Sequence, residues 1–254
     1  VHLTATALVL TALPHGEHDA VVRFLTPADG MHAGYVRGGR SRKIRPVLQP
    51  GNAVAVELRS RIDTQLAAAT VELVTSRAGL AFDRLTAAIT EYLATLTAAV
   101  LDEGTPAPRL HAALDALLDA MAAGTSAEQA AAGVARYELL LLAERGFGLD
   151  LDSCAATGAR DDLIYVSPRS AQAVGAGAGA PYAAKLLPLP ALLRDPRAEA
   201  DWPDIAGALR TTGWFLERDL LTGAAATLRQ ARARLVALFD ATGATIVARP
   251  DDPS

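Results

Sequence analysis

Between residues 76 and 80 the hydrophobic period of the chain changes, and no other feature limits the fold as tightly. Before that point the apolar residues alternate with polar ones. In NAVAVEL, Val54, Val56 and Leu58 fall on one face of an extended chain, and in GYVRG, Tyr35 and Arg37 point opposite to Val36. Five β-like runs can be read there: TATALVLTAL, AVVRFLT, MHAGYVRG, NAVAVELRS and QLAAATVELV. Turn chemistry separates them at residues 14–16, 27–30 and 50–51. Five short strands in so short a segment predict a small closed barrel such as the OB fold, with an SH3-like barrel as the competing geometry.

After the change, Leu85, Ile89, Leu93, Leu96 and Val100 recur at spacings of three and four, and LHAALDALLDAMAAG repeats the pattern until Gly124 stops it. The start Ser126-Ala127-Glu128-Gln129 reads as a capping box opening a helix that runs to Gly146, with an apolar stripe broad enough to be central in a bundle. Residues 147–200 are rich in Gly and Pro and predict a loop-rich insert with a hairpin around LIYVSP. Helicity returns with IAGALRTTGWFLERDLL and AATLRQARARLVALFDA, and the tail TGATIVARPDDPS reads as frayed. The fold class is therefore α+β and multidomain. A five-stranded OB-fold β-barrel over residues 1–79 precedes an α-helical bundle domain over 80–254, with the insert at about 148–200.

A hydrophobic content of 51% supports real cores, and 5% aromatics favours helical packing of small side chains. No apolar run is long enough to span a membrane and the first ten residues lack the marks of a secretory signal, so a cytoplasmic location is expected. The single cysteine, Cys154, excludes an intramolecular disulfide and a thiolate zinc cage.

Charge is unevenly spread. Residues 1–80 carry nine basic against six acidic side chains, net +3, and the remainder fifteen against twenty-two, net −7, within a chain of net charge −4. Residues 37–45, RGGRSRKIR, hold five of the basic residues: Arg37, Arg40, Arg42, Lys43 and Arg45. Such a run is often only a solvated loop. Here it follows a predicted barrel strand, contains a Gly-Gly pair that lets backbone approach a ligand, and favours arginine, whose planar fork suits phosphate. Tyr35, and also Phe24, are candidate stacking surfaces for a single strand.

Other clusters are weaker. PHGEHD crowds His15, Glu17, His18 and Asp19 together, which invites a metal or hydrolase reading, but consecutive turn residues rarely converge on one ion. Cys154 has no histidine after His111 to activate it and reads as an inert thiol. The alternating GAGAGA stretch, with Gly175, Gly177 and Gly179, lacks the Lys-Ser/Thr of a phosphate loop and reads as flexible. Arg136 sits at the edge of an apolar helix, either paired with an acid such as Asp83 or Glu138 or acting as an anion hook for an acidic, aromatic-ended peptide. Arg229, Arg232 and Arg234 either form a second DNA face or solvate a helix.

Several segments together resemble the bacterial DNA repair protein RecO family. They are Gly16-Glu17-x-Asp19, Phe24-x-Thr26, Gly30 and the basic-Gly-x-Arg ending at Arg37 to Arg40, then LQPGN, RYELLLLAERGFGLDLDSC and TGWFLERDLL, in order over nearly the whole chain. The resemblance implies a recombination mediator of the RecF pathway, with an N-terminal OB fold, a helical domain and often an inserted zinc knuckle. It implies binding of single- and double-stranded DNA, annealing, contact with the acidic tail of single-strand-binding protein, and cooperation with RecR, and less directly RecF, in loading RecA.

On that basis Arg37, Arg40, Arg42, Lys43 and Arg45 line the DNA groove, Arg59 and Arg61 extend it, and Arg136 takes the acidic tail. No active site and no cofactor are expected. Cys154-Ala-Ala-Thr157 departs from the paired C-x-x-C of zinc-bearing members. Neutralising about five phosphates of a single strand implies a salt slope of roughly −3.5. The alternatives are an OB-fold RNA-binding protein, a metal-dependent hydrolase using His15, His18 and Asp19, and a non-catalytic protein adaptor.

Overall fold

The computed structural model describes residues 2–62, 65–222 and 226–247. Each alternating run forms a strand: β1 (His2–His15), β2 (Asp19–Thr26), β3 (Gly30–Val36), β4 (Ala53–Arg59) and β5 (Ala67–Thr75). They close in the order β1-β2-β3-β5-β4, with β4 returning to β1. Only the β3–β5 pairing is parallel. This five-stranded closure is the OB fold rather than the SH3-like alternative. One long strand makes it possible: β1 pairs with β4 over residues 2–8 and with β2 over residues 8–15, with an irregularity between Val9 and Thr11 that bends it from one partner to the other. Val22, Phe24, Val54, Val56 and Leu58 fill the interior. Each such side chain contributes roughly 1.5–3 kcal/mol by leaving water.

Two helices pack with the barrel. In α1 (Arg84–Val100), Asp83 caps the start by accepting the amides of Leu85 and Thr86 at 3.0 and 2.9 Å. At the other end Arg23 of β2 donates to the Ala98 carbonyl at 2.7 Å, satisfying an oxygen that the helix leaves open. In α2 (Pro108–Ala122), Asp115 and Asp119 receive the buried Arg77 guanidinium at 2.5 and 2.7 Å. Arg77 also donates to the Gly51 carbonyl at 2.7 Å, and its amide to Asn52 Oδ1 at 2.8 Å. These ties group α1 and α2 with the strands, so the first compact unit covers residues 1–124 and passes the boundary near residue 79 that the period change marks.

The second unit covers residues 125–254. Its α3 (Ala127–Glu144) opens with the expected capping box, Ser126 Oγ accepting from Gln129 N at 3.2 Å and Gln129 Oε1 accepting from Ser126 N at 3.3 Å. The insert carries β6 (Leu163–Val166), β7 (Ala173–Gly175) and β8 (Leu187–Pro188) as a sheet of order β7-β6-β8, so the LIYVSP hairpin gains a third strand. The GAGAGA stretch of residues 175–180 is not an open loop. It forms the short α4 (Ala176–Gly179), where a Cβ at Gly179 would fall 2.5 Å from the Tyr165 ring.

Two more helices follow, α5 (Trp202–Phe215), which runs on into a single π-turn, and α6 (Ala226–Val247). The tail expected to fray is helical as far as Val247, and its last seven residues lie outside the described ones. No helix among the described residues is long and apolar enough to cross a membrane.

Candidate nucleic-acid interface

The basic run leaves the barrel directly after β3. Its apolar residues bind it to the core: Leu48 is buried with the barrel cluster, and Ile44 and Val47 pack against that cluster. Their spacing of three and four is that of a helical turn, which the chain adopts, with Arg45 N donating to Ser41 O at 2.9 Å and Ile44 N to Ser41 Oγ at 3.2 Å. Asn52 closes the far end by donating to the Pro46 and Val47 carbonyls at 3.0 and 3.2 Å. The intervening Arg42, Lys43 and Arg45 are left exposed, as is Arg37 at the entry.

The glycine pair has a different role from the expected one. Gly38 has φ +65°, and a Cβ at Gly39 would lie 2.7 Å from the Ala20 Cβ. Gly38 thus supplies a left-handed turn and Gly39 fits the loop closely to its own barrel.

Residues 15–19, read as a turn or a metal cluster, hold this loop. The Tyr35 hydroxyl donates to Asp19 Oδ2 and the Gly38 amide to Asp19 Oδ1, the latter at 2.6 Å. The Tyr35 hydroxyl, the Gly38 amide and the nearby Arg37 charge together keep the Asp19 carboxyl below the ordinary carboxylate range. In the other direction Arg40 donates its amide to the His18 carbonyl at 2.9 Å. Its Nη1 reaches the Gly16 and Glu17 carbonyls at 3.2 and 3.0 Å.

Arg40, although exposed, is thus turned onto the β1–β2 turn, unlike its four basic neighbours. The Tyr35 ring meets His15 edge to face at 5.6 Å, and Phe24 is fully buried, so Phe24 is no stacking surface. Both Asp19 oxygens accept hydrogen bonds from this loop, and among the described residues no three His, Cys, Asp or Glu side chains converge as metal ligands.

The two arginines of β4 and the turn after it behave differently. The ladder sets Tyr35 beside Ala68 and Ala68 beside Arg59, which puts Arg59 two strands from Tyr35, about 10 Å. Arg59 is neutralised by Glu57, Nη2 to Oε1 at 2.6 Å, while His2 bonds the same carboxylate at 3.0 Å and holds it below its ordinary range together with Arg59. Because β4 runs antiparallel to β3, the chain beyond Arg59 leads Arg61 away from the basic loop, where it is exposed.

In the second unit Arg136 pairs with neither Asp83 nor Glu138. Its Nε and Nη2 donate to the Leu192 and Ala198 carbonyls at 3.3 and 3.0 Å. Arg229 donates to the Leu221 carbonyl at 2.5 Å, Arg232 is engaged by Glu138, and of that trio only Arg234 is exposed. Trp202, Ile205, Leu209, Val236 and Phe239 line an apolar groove of about 580 Å³ between α5 and α6, whose charged lining is Arg210, Arg232 and Asp240. Cys154 is buried. The Thr157 hydroxyl bonds its sulfur, the Gly175 amide donates to it at 3.3 Å, and these bonds lower the thiol to about 7. With one thiol, and Thr157 where a second would stand, the loop does not fit a zinc knuckle.

An OB barrel carrying an anchored loop of outward cations has the form suited to tracking a nucleic-acid backbone. Residues 2–77 match the family model described as Recombination protein O N terminal, and residues 81–224 the model described as Recombination protein O C terminal. The chain is 45% identical over 213 residues to the DNA repair protein RecO of Rhizobium etli, covering 84% of this chain and 82% of that one. It is 44% identical over 221 residues to that of Bradyrhizobium sp., covering 86% and 88%. It is 42% identical over 233 residues to that of Rhodospirillum rubrum, covering 90% and 92%. The chain belongs to the RecO family of DNA repair proteins.

Proposed function

We propose that the chain is a non-catalytic recombination mediator that binds single- and double-stranded DNA through the loop of residues 37–45 and anneals complementary strands. The observation that carries this reading is the anchored loop: Ile44, Val47 and Leu48 pack onto the barrel core while Arg37, Arg42, Lys43 and Arg45 are exposed, with no acidic partner among the described residues for Arg42, Lys43 and Arg45. Cations fixed to a rigid barrel meet phosphates without first losing the freedom of a floppy loop. Annealing then needs no reacting group, since neutralising two strands lowers their repulsion until base pairing takes over.

Family membership supports cooperation with RecR, and less directly RecF, in loading RecA onto DNA covered by single-strand-binding protein. For the acidic tail of that protein, the apolar groove between α5 and α6 with Arg210 in its lining is better suited than Arg136, whose Nε and Nη2 both serve backbone carbonyls.

The test is fluorescence anisotropy of a labelled single strand with native protein and with Arg37, Arg42, Lys43 and Arg45 replaced by alanine. The reading expects loss of affinity in a variant that still folds. Equal binding by both proteins overturns it, and stronger competition by RNA than by DNA of matched sequence favours the RNA-binding alternative.

A further inference from the structure

We infer that Asp19, Tyr35 and Arg40 form a clamp that positions the basic loop, so that none of the three is itself a contact to nucleic acid. The inference rests on the DNA-binding reading above and assigns a different role to two residues that charge and aromaticity alone would place in the interface.

The clamp has two halves that face opposite ways. Asp19, the first residue of β2, accepts from the Tyr35 hydroxyl and from the Gly38 amide, and so fixes the backbone where it leaves β3. Arg40 reaches back, its amide on the His18 carbonyl at 2.9 Å and its Nη1 on the Gly16 and Glu17 carbonyls at 3.2 and 3.0 Å. Each segment supplies donors or acceptors to the other, so the turn of residues 15–19 and the loop of residues 37–40 form one interlocked piece. Asp19 and Arg40 do not pair with each other; each spends its charge on the other segment's polar groups. Gly39 allows the closeness, lying where a Cβ would press on Ala20. Beyond this piece Ile44, Val47 and Leu48 fasten the far side, so Arg42, Lys43 and Arg45 are carried on a stretch anchored at both ends while Arg37 lies within the interlocked piece itself.

The clamp makes predictions that differ from those of charge or stacking, and in Asp19→Asn the sign is opposite. Asp19→Asn removes a negative charge beside the basic run, so charge alone predicts tighter DNA binding. Tyr35→Phe keeps the ring and every charge, so stacking predicts no change. Arg40→Lys keeps the charge, but the lysine stem is one atom shorter than the reach of Nη1 to the Gly16 and Glu17 carbonyls. The clamp predicts weaker binding in all three, several-fold for each, with a salt slope shallower by about 0.7 for every phosphate no longer neutralised.

The experiment measures binding of labelled oligothymidylate across a salt series, alongside the thermal melt and the rate of tryptic cleavage within residues 42–45. The expected result is native-like melting, faster cleavage in the loop and weaker binding. Unchanged cleavage in Tyr35→Phe and Asp19→Asn overturns the clamp, and this readout needs no DNA. Faster cleavage with unchanged DNA binding overturns the positioning role. Failure of the native protein itself to bind overturns the DNA reading instead, while the cleavage rates still report on the clamp.

Discussion

Arg232 of α6 and Glu138 of α3, 94 positions apart, share two hydrogen bonds, Nε to Oε1 at 2.8 Å and Nη2 to Oε2 at 2.9 Å, around a carboxylate with no solvent exposure. Thr212 Oγ1 donates to the same carboxylate at 2.5 Å, and Arg232 Nη2 also donates to the Leu209 carbonyl at 2.7 Å. Gly213 makes room for the guanidinium, since a Cβ there would lie 2.4 Å from Nη1. A basic residue that charge patterning offers for a DNA face is thus part of the core of the second unit.

Removing one partner of such a pair strands the other in a low-dielectric interior. Glu138→Ala is therefore expected to cost about 3–5 kcal/mol of stability. Urea unfolding of the full chain measures this, and a cost below about 1 kcal/mol would contradict the pairing. DNA affinity of the folded fraction is expected to stay at the native value, because the Arg232 charge is already held by Glu138 in the core of the second unit.

Cys154 supplies the pH prediction. Its thiol is lowered to about 7, first by the Thr157 hydroxyl and then by the Gly175 amide. A folded value below the unfolded one, about 8.5, means the contribution to stability is fully present above the unfolded value and is lost as pH falls through the folded value. Stability gained through this group therefore rises between about pH 7 and pH 8.5. Thiolate absorbance titration should show a midpoint about 7 in the native protein and a higher one in Thr157→Val. A native midpoint in the ordinary cysteine range would contradict the hydrogen-bond assignment.

Two substitutions test the peptide site proposed for the groove between α5 and α6. Binding of a peptide with an acidic, aromatic end is expected to survive Arg136→Ala and to weaken about tenfold in Arg210→Ala, the scale of one charge-assisted hydrogen bond. Isothermal titration measures both. The opposite pattern would return the site to Arg136.

The barrel was legible because period-two alternation is a local property: Val54, Val56 and Leu58 announce their shared face within five residues, and they are buried together. The Ser126–Gln129 capping box was legible for the same reason. Roles decided by distant partners were not. Nothing near Arg40 shows that its guanidinium meets the carbonyls of residues 16 and 17, and nothing near Arg232 points to Glu138. The residues of PHGEHD stand out for their side chains, whereas His18, Glu17 and Gly16 contribute carbonyls and only Asp19 its carboxylate. The grouping of α1 and α2 with the barrel depends on Arg23 and Arg77, whose charges suggest a surface until their partners are seen.

In the proposed interface Arg37, Arg42, Lys43 and Arg45, and not Arg40, meet the phosphates. Log affinity for a single strand against log salt tests it most directly. Four neutralised phosphates predict a slope of roughly −2.8, so a fourfold rise in salt weakens binding on the order of fiftyfold. Alanine at Arg37, Arg42, Lys43 and Arg45 should bring that slope near zero. A slope left unchanged by those four substitutions, in a protein that still melts cooperatively, would contradict the account.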